Sequence, residues 1–231
     1  MNYMTTVIDV LHRTEHVFSV RFERPDGFCY LPGQFMFITL GTGEDTLTKH
    51  LTISSSPTES WLEVTKEMTG HPFADALAAL RAGTRVAIRG PYGEFTFTGE
   101  YKQVVLISGG IGVTPMKSMM QYATDEGLLS RIKLLYSARD EGDILFGPEM
   151  RDLQKNNPHL SVHLTLTRPG PAWKGNTGRI DHAFIEHEVP DWKDQIFFLS
   201  GPTSMVNAMV AIVREMGVPE EHIRQEAFPG Y

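Results

Sequence analysis

The sequence Leu106-Ile-Ser-Gly-Gly-Ile-Gly-Val-Thr-Pro-Met-Lys117 decides the fold of the second half of the chain. Apolar residues at 104–107 predict a buried strand that stops at the glycines, and Pro115 suits the first position of a following helix. Glycines let the backbone approach a ligand, and the free N–H groups of a helix start attract anions. The spacing differs from the G-x-G-x-x-G dinucleotide fingerprint. The stretch predicts a binding site for a pyrophosphate. The alternative is a strand-to-helix turn with a purely structural role.

The composition limits the class of protein. At 231 residues the chain has room for one large domain or two small ones. A net charge of −7 argues against a nucleic-acid-binding protein, since phosphate contacts need clustered Lys and Arg. The single cysteine, Cys29, excludes an internal disulfide framework, a cysteine-ligated iron–sulfur cluster and a four-cysteine zinc site. Any redox chemistry in this chain therefore needs an organic cofactor.

Membrane, targeting and metal signals are weak in this sequence. No stretch approaches the roughly 18 apolar residues of a membrane span, and the N-terminal residues do not follow the pattern of a signal peptide. We therefore expect no membrane span and a cytoplasmic protein. His159 and His163 are four positions apart, but the residues around them read as a strand and no carboxylate shares a motif with them, so we expect no metal site.

The first half of the chain alternates apolar and polar residues in the manner of half-buried strands. Turn sequences rich in Pro and Gly separate the runs, which is typical of an antiparallel barrel or sandwich. One helix is predicted at 72–80, where four apolar residues share a face. The strand-like runs are Val17–Glu23, Phe35–Leu40, 61–66 and 84–89.

From about residue 101 strand-like runs alternate with helical stretches. Such alternation predicts a parallel sheet with helices on both faces. The predicted strands are 104–108, 133–136, 161–166 and 196–199, and the predicted helices are 115–126, 147–155 and 203–216. We therefore predict an antiparallel β-barrel domain at residues 1–99, followed by an α/β nucleotide-binding domain with a parallel sheet at residues 100–231.

Several further motifs carry candidate chemistry. Lys49-His-Leu-Thr-Ile-Ser-Ser-Ser-Pro57 places a cation and hydroxyl groups on a strand edge, where they could hold a diphosphate; a serine-rich loop is the alternative. Ser137 and Arg139 follow a predicted strand, at the sheet edge where α/β proteins bind ligands. Ser200-Gly-Pro-Thr-Ser-Met205 repeats the strand, glycine and helix order.

Taken in order, the motifs at 32–35, 49–57, 90–95, 109–116, 136–139, 201–205 and 226–228 resemble those of the ferredoxin–NADP reductase superfamily across nearly the whole chain. The resemblance implies a flavin-binding antiparallel barrel followed by a nicotinamide-binding α/β domain. It implies hydride transfer from a nicotinamide to flavin N5 and then electron transfer to an acceptor. The cofactors supply the chemistry, and the protein supplies placement and electrostatics.

The resemblance also assigns roles to individual residues. Lys49 stands where the family usually has an arginine on the FAD pyrophosphate, and Leu51 stands where an aromatic ring usually stacks on the flavin. Thr52, near flavin N5, and Glu226, in the C-terminal segment bordering the flavin, are the implied catalytic residues. The implied FAD-binding residues are Lys49, His50, Leu51, Thr52, Ile53, Ser54, Thr65, Lys66, Gly70, Phe73 and Phe228. The implied nicotinamide-nucleotide residues are Gly110, Gly112, Thr114, Pro115, Ser137, Arg139, Gly201, Pro202 and Met205.

Four residues depart from the family pattern, and all are expected in the active cleft. Lys49 is a point charge in place of the planar fork of arginine. Leu51 removes a ring stack worth about 0.5–1.5 kcal/mol beyond burial. Ala74 and Ser200 stand where relatives often have a serine on the flavin phosphate and a cysteine before Gly-Pro. These departures predict weak or exchangeable flavin and slow turnover.

The choice between NADH and NADPH depends on what meets the ribose 2′-position. Ser137, Arg139 and Arg168 could bind a 2′-phosphate, whereas Asp140, Glu141 and Asp143 would repel it. Acidic residues near the ribose favour the free hydroxyl, so NADH is the expected nucleotide.

Three functions remain open at this point. The leading interpretation is an FAD-dependent NAD(P)H oxidoreductase that feeds electrons to a separate redox protein such as a ferredoxin or flavodoxin. The second is an NAD(P)H:flavin reductase that uses exchangeable flavin as substrate. The third is a non-catalytic electron-transfer or regulatory subunit whose flavin site has decayed. The sequence leaves open whether the C-terminal Tyr231 covers the flavin.

Overall fold

Six antiparallel strands form the first part of the protein, for which a computed structural model describes residues 1–41, 43 and 46–228. Tyr231 lies outside the described residues. The strands pair in the order β4-β3-β6-β1-β2-β5, and a bridge between Ile53 and Val64 joins the two edges, so the sheet curls on itself. These strands are β1 (Asn2–His12), β2 (Val17–Glu23), β3 (Phe35–Leu40), β4 (Leu47–Thr52), β5 (Trp61–Glu67) and β6 (Arg85–Tyr92).

The alternating sequence of these strands explains how the sheet fills its interior. Along β3, Met36 and Ile38 are fully buried while Phe37 between them is only half-buried, and β6 repeats the pattern with Val86 and Ile88. Inward-facing apolar residues at every second position are the signature of a sheet with one covered face. Helix α1 (Pro72–Ala78) closes one end with Phe73 and Leu77, close to the predicted helix at 72–80.

A parallel sheet forms the second part, with strand order β10-β9-β8-β7-β11-β12. Helices cover both faces, since Met116 and Leu153 belong to one apolar core while Ile185 and Val210 belong to another. The predicted fold class is therefore confirmed. The strands are β7 (Gln103–Gly109), β8 (Arg131–Ala138), β9 (Leu160–Leu166), β10 (Asn176–Thr177), β11 (Ile196–Pro202) and β12 (Ile223–Phe228); the helices are α2 (Val113–Asp125), α3 (Gly147–Asn156), α4 (His182–Glu188) and α5 (Thr203–Glu215).

Helix α2 belongs to the second part of the protein and also contacts the first part. Its Lys117 ammonium lies 2.7 Å from a carboxylate oxygen of Glu59, in the loop between β4 and β5, and this lysine side chain is 4% exposed. The next residue, Ser118, donates a hydrogen bond of 2.6 Å to the carbonyl of Ser55 in the same loop. The predicted boundary at 99/100 falls in the connection between β6 and β7 and stays a prediction.

Within the described ranges, no helix combines the length and the apolar character that crossing a membrane requires. In the same part of the chain, no three His, Cys, Asp or Glu side chains are grouped so that they could hold a metal ion.

Candidate active site

A cavity of about 570 Å³ opens between the edge of the curled sheet, helix α1 and strand β12, and we call it the barrel cavity. This volume is in the range of roughly 300–1,000 Å³ that is usual for small-molecule sites. The cavity brings together predicted residues from positions 49 to 228. They are Lys49, His50, Leu51, Thr52, Thr65, Lys66, Phe73, Thr114, Glu226 and Phe228.

A second cavity, of about 850 Å³, lies across the carboxyl ends of β7, β8 and β11, and we call it the strand-end cavity. Ligands of open α/β sheets bind outside this edge. Five predicted nucleotide residues line it: Gly110, Ser137, Arg139, Pro202 and Met205. Thr69, His71 and Ile111 line both cavities, so the two spaces adjoin. Two ligands held in them could therefore meet.

The remaining predicted residues lie beside the cavities without lining them. Backbone N–H groups of Ile53 and Ser54 donate to the carbonyls of Gln34 and Glu63 at 2.9 and 2.7 Å, so they are already engaged within the protein. Gly70 lies between two lining residues in a left-handed conformation, with φ +68°. Pro115 is buried in the first turn of α2.

The glycines at the strand ends divide into two kinds. Gly110 has φ +54°, and a Cβ placed on it would have no atom within 4 Å, so its backbone faces open space in the strand-end cavity. Gly112 is packed differently, because a Cβ there would lie 2.4 Å from the Cα of Gly201 and from the carbonyl oxygen of Ser200. Gly112 thus lets the turn after β7 pack directly on the end of β11, at Ser200 and Gly201.

Two buried oxygen atoms at the barrel cavity lack a hydrogen-bond partner among the described residues. They are Oγ1 of Thr69 and Oε2 of Glu226, and both residues line the cavity. Burial is the only cause acting on the Glu226 carboxyl, and it raises its pKa from about 4.5 to about 7. Burial also lowers the pKa of Lys66. Burying the Thr69 and Glu226 oxygen atoms without a hydrogen-bond partner costs free energy, and this cost indicates that a ligand binds beside them.

These residues fit the two cofactors that the sequence implies. In the barrel cavity, the cations Lys49 and Lys66 suit a diphosphate, while Leu51, Phe73 and Ile111 offer apolar surface to a ring. In the strand-end cavity, the open backbone at Gly110 stands next to the first turns of α2, where N–H groups favour a pyrophosphate. The donor set therefore suits FAD in the first cavity and a nicotinamide nucleotide in the second.

The wall of the strand-end cavity carries both signs of charge. Arg139 Nε lies 3.2 Å from a carboxylate oxygen of Asp143, and both side chains line the cavity together with Arg179. The Asp140 side chain accepts a hydrogen bond from the N–H of Gly142. A phosphate near Arg139 would therefore also meet the Asp143 carboxylate.

Sequence reasoning missed several lining residues. Thr69 and Arg179 belong to no motif, and His71 follows Gly70, which the resemblance implied as an FAD-binding residue. Ser200, which departs from the family pattern, is fully buried, and its hydroxyl has no hydrogen-bond partner within the described part of the chain.

Comparison with protein families matches both parts of the chain. The model for an oxidoreductase FAD-binding domain matches residues 4–97, and the model for an oxidoreductase NAD-binding domain matches residues 106–211. Together these two models span most of the sequence.

Individual relatives agree with the family models. Ferredoxin–NADP reductase B of Sorangium cellulosum is 28% identical over an alignment of 227 positions, and the match covers 91% of each chain. The glycine betaine monooxygenase reductase subunit of Chromohalobacter salexigens is 28% identical over 214 residues, but the match spans 89% of this chain and only 58% of that relative. Among solved structures, the cytochrome b5 reductase domain of Ulva prolifera nitrate reductase is 25% identical, with a TM-score of 0.82 and coverage of 98% of this chain and 97% of the other.

Proposed function

Because the chain belongs to the ferredoxin–NADP reductase superfamily, whose members pass electrons from a nicotinamide nucleotide through FAD to an acceptor, we propose that it is itself an FAD-dependent NAD(P)H oxidoreductase with a redox protein as acceptor. The observation that carries the proposal is that the barrel cavity and the strand-end cavity adjoin at Thr69, His71 and Ile111. FAD, when bound, supplies the ring that accepts the hydride and releases electrons singly or in pairs. The residues of this chain bind and orient both partners.

The residues of the barrel cavity divide the work of holding FAD. Lys49 and Lys66 provide positive charge for the diphosphate, and Leu51 and Phe73 cover the ring. Thr52, 7% exposed and on the cavity wall, would offer its hydroxyl as the partner of flavin N5. Glu226 holds a proton near neutral pH, because burial raises its pKa to about 7.

The strand-end cavity would hold the nicotinamide nucleotide. Gly110 and the N–H groups at the start of α2 bind the pyrophosphate, while Pro202 and Met205 flank the nicotinamide. Thr114, which the resemblance implied for this nucleotide, lines the barrel cavity instead. We propose NADH as the preferred nucleotide, since Asp143 already engages Arg139 and adds a negative charge where a 2′-phosphate would lie. Asp143→Asn should raise kcat/KM for NADPH relative to NADH by about tenfold, the effect of ~1.4 kcal/mol. An unchanged ratio would contradict this assignment.

For the acceptor, we propose an acidic carrier protein that docks on the outer face of β3, β4 and β6. Phe35, Phe37, His50 and Tyr92 form an aromatic cluster there, with ring centroids 5.3–5.9 Å apart, and the Arg89 guanidinium lies 4.8 Å from the Phe37 ring. Phe35 and His50 also line the barrel cavity, so the face is continuous with it. These three strands contain no Asp or Glu, in a chain of net charge −7.

Charge reversal tests the docking face. Arg89→Glu should slow electron transfer to an acidic [2Fe–2S] ferredoxin and reduce its salt dependence, since complementary charges act mainly on association. The same variant should leave flavin reduction by NADH unchanged. Reduction of basic cytochrome c serves as the control acceptor. Equal ferredoxin rates in both proteins at low salt would refute this docking face.

A second candidate, an NAD(P)H:flavin reductase, is supported by Leu51. This residue is aliphatic and 9% exposed on the wall where the family usually has a stacking ring, so the flavin loses one contact. Flavin that is lost on gel filtration and that the protein then reduces as a free substrate would favour this candidate.

The deciding experiment is an anaerobic absorbance titration of the purified protein with NADH and, separately, NADPH. Visible flavin bands that bleach support the reductase, and the faster nucleotide identifies the preferred donor. A protein that takes up no FAD and oxidises no nucleotide would instead support a non-catalytic subunit and overturn the proposal.

A further inference from the structure

Arg13 lies outside both cavities and contacts both parts of the protein. It follows β1 directly, and its side chain is 14% exposed. Each of its three guanidinium nitrogens has a different partner. Nε donates to Ser19 at 2.8 Å and Nη2 to Glu63 at 2.8 Å, both in the curled sheet, while Nη1 donates to Glu149 of helix α3 at 2.6 Å.

On the barrel side, the partners of Arg13 lead to the wall of the barrel cavity. The Glu63 side chain is fully buried and also accepts a hydrogen bond of 2.8 Å from Arg21. Ser19 shares a hydrogen bond of 2.8 Å with the hydroxyl of Thr65, and Thr65 lines the barrel cavity. A second hydrogen bond, of 3.0 Å, joins Thr65 to Ser54. Arg13 is thus two hydrogen bonds away from the surface that would face the flavin.

On the other side, contacts lead from Arg13 to the nucleotide loop. The guanidinium carbon lies 5.0 Å from the centre of the Phe146 ring, and Phe146 holds a left-handed backbone conformation, with φ +55°. The N–H of the preceding Leu145 donates to the Tyr136 hydroxyl at 3.3 Å, and that hydroxyl donates to the carbonyl of Gly110 at 3.2 Å. Leu145 and Gly110 both line the strand-end cavity.

From these contacts we propose that Arg13 is a positioning residue that sets the distance and angle between the two cofactor sites. The inference depends on the proposed reductase function. Hydride transfer needs its reacting atoms about 3–3.5 Å apart, and a misplacement of about 1 Å can cost roughly 100-fold in rate. A planar guanidinium can hold Ser19, Glu63 and Glu149 at once, whereas a lysine ammonium is a point charge on a flexible stem.

The other contacts between the two parts do not replace Arg13. Lys117 and Ser118 attach the start of α2 to the loop between β4 and β5. Among the described residues, Arg13 makes the ion pair between the curled-sheet part and the start of α3, and Val17 of β2 adds an apolar contact with the core that contains Leu145 and Phe146. We therefore expect substitution of Arg13 to change the distance and angle between the two cavities more than it changes the affinity of either cavity for its ligand.

The test is rapid mixing of the flavin-loaded protein with NADH and with NADH deuterated at the transferred position, in wild type, Arg13→Lys and Arg13→Gln. Arg13→Lys should lower the limiting rate of flavin reduction by at least about tenfold, with flavin content and the NADH dissociation constant within about twofold of wild type. The isotope effect identifies the measured phase as hydride transfer. Arg214→Gln is the matched control, because it removes an exposed ion pair between Arg214 of α5 and Glu220, which follows that helix, and it should leave the rate unchanged.

Glu149→Gln is a second variant that protects the test against misfolding. This substitution weakens only the contact between Arg13 and Glu149 on α3, and it leaves the Glu63 contacts in place. The Glu149 side chain is 33% exposed. We expect a fall of about threefold in the limiting rate, and less than additive loss when it is combined with Arg13→Lys. A wild-type rate in both Arg13→Lys and Glu149→Gln would overturn the inference. A loss of rate that is explained entirely by lower flavin content or weaker NADH binding would overturn it as well. A wild-type protein that accepts no hydride would instead overturn the proposed function, and the inference with it.

Discussion

Replacing Glu226 with glutamine gives the sharpest test of the electrostatics in the barrel cavity. Burial raises the pKa of this carboxyl from about 4.5 to about 7, and no neighbouring charge contributes to the change. As the pH rises, the unfolded chain releases this proton near the ordinary pKa of a glutamate, whereas the folded protein releases it only at a higher pH. Stability is therefore unaffected by this group at low pH and decreases as the pH rises from about 4.5 to about 7.

The two pKa values fix the size of the effect. For a carboxyl that titrates at these values in the unfolded and folded states, the free energy of unfolding falls by about 2.5 kcal/mol between pH 5 and pH 8. The glutamine in Glu226→Gln cannot ionise, so the free energy of unfolding of this variant does not fall in the same way as the pH rises. The variant should therefore gain about 2.5 kcal/mol on wild type over that pH interval, with most of the gain between pH 5 and pH 7.

Urea unfolding of the flavin-free protein at pH 5, 6, 7 and 8 measures this difference. Glu186→Gln makes the same chemical change at an exposed position of α4 and serves as the control, which should show no comparable trend. A difference between Glu226→Gln and wild type that stays within about 0.5 kcal/mol at all four pH values would refute the assigned pKa.

Three further substitutions probe the walls of the site. Gly112→Ala places a methyl group 2.4 Å from the Gly201 backbone, so we expect a loss of at least about 2 kcal/mol in urea unfolding; wild-type stability would mean that the turn and the strand end can separate freely. Tyr136→Phe leaves the Leu145 N–H and the Gly110 carbonyl without their hydroxyl partner and should cost about 1–3 kcal/mol by the same assay, against no change if water replaces the hydroxyl. Leu51→Tyr supplies a ring for the flavin and should tighten FAD binding by about 0.5–1.5 kcal/mol in a fluorescence titration, and weaker binding would contradict a stacking position.

Local patterns in the sequence were enough for most of the fold. The strand, glycine turn and helix at β7 and α2 were predicted because all their determinants lie within a few residues of one another. Helix α4 was not predicted, since it has only seven residues, many of them polar. The Asp181 carboxylate accepts a hydrogen bond from the Phe184 N–H and Ile185 enters the core, and these contacts stabilise a segment whose local pattern is weak. Strand β12 escaped prediction for a related reason, because it mixes charged and apolar residues and pairs only with β11.

The candidate site shows the same division between local and distant information. Residues of a single motif, such as Lys49 and Thr52, both line the barrel cavity because they lie three positions apart on strand β4. The close packing of Gly112 on Gly201 brings a turn and a strand end together that are far apart in the sequence, and no local spacing reveals it. Arg13 likewise belongs to no motif, and its importance follows only from the three partners that the fold brings to it.

The burial of Lys117 against Glu59 has a consequence for how the protein denatures. If either sheet melted alone, the other would keep one member of this pair without its counter-ion, and removing one partner of a buried pair is strongly destabilising. The ion pair between Arg13 and Glu149 likewise joins the two parts of the protein. We therefore expect one cooperative transition in calorimetry, with equal calorimetric and van't Hoff enthalpies, from a chain that has two separate sheets.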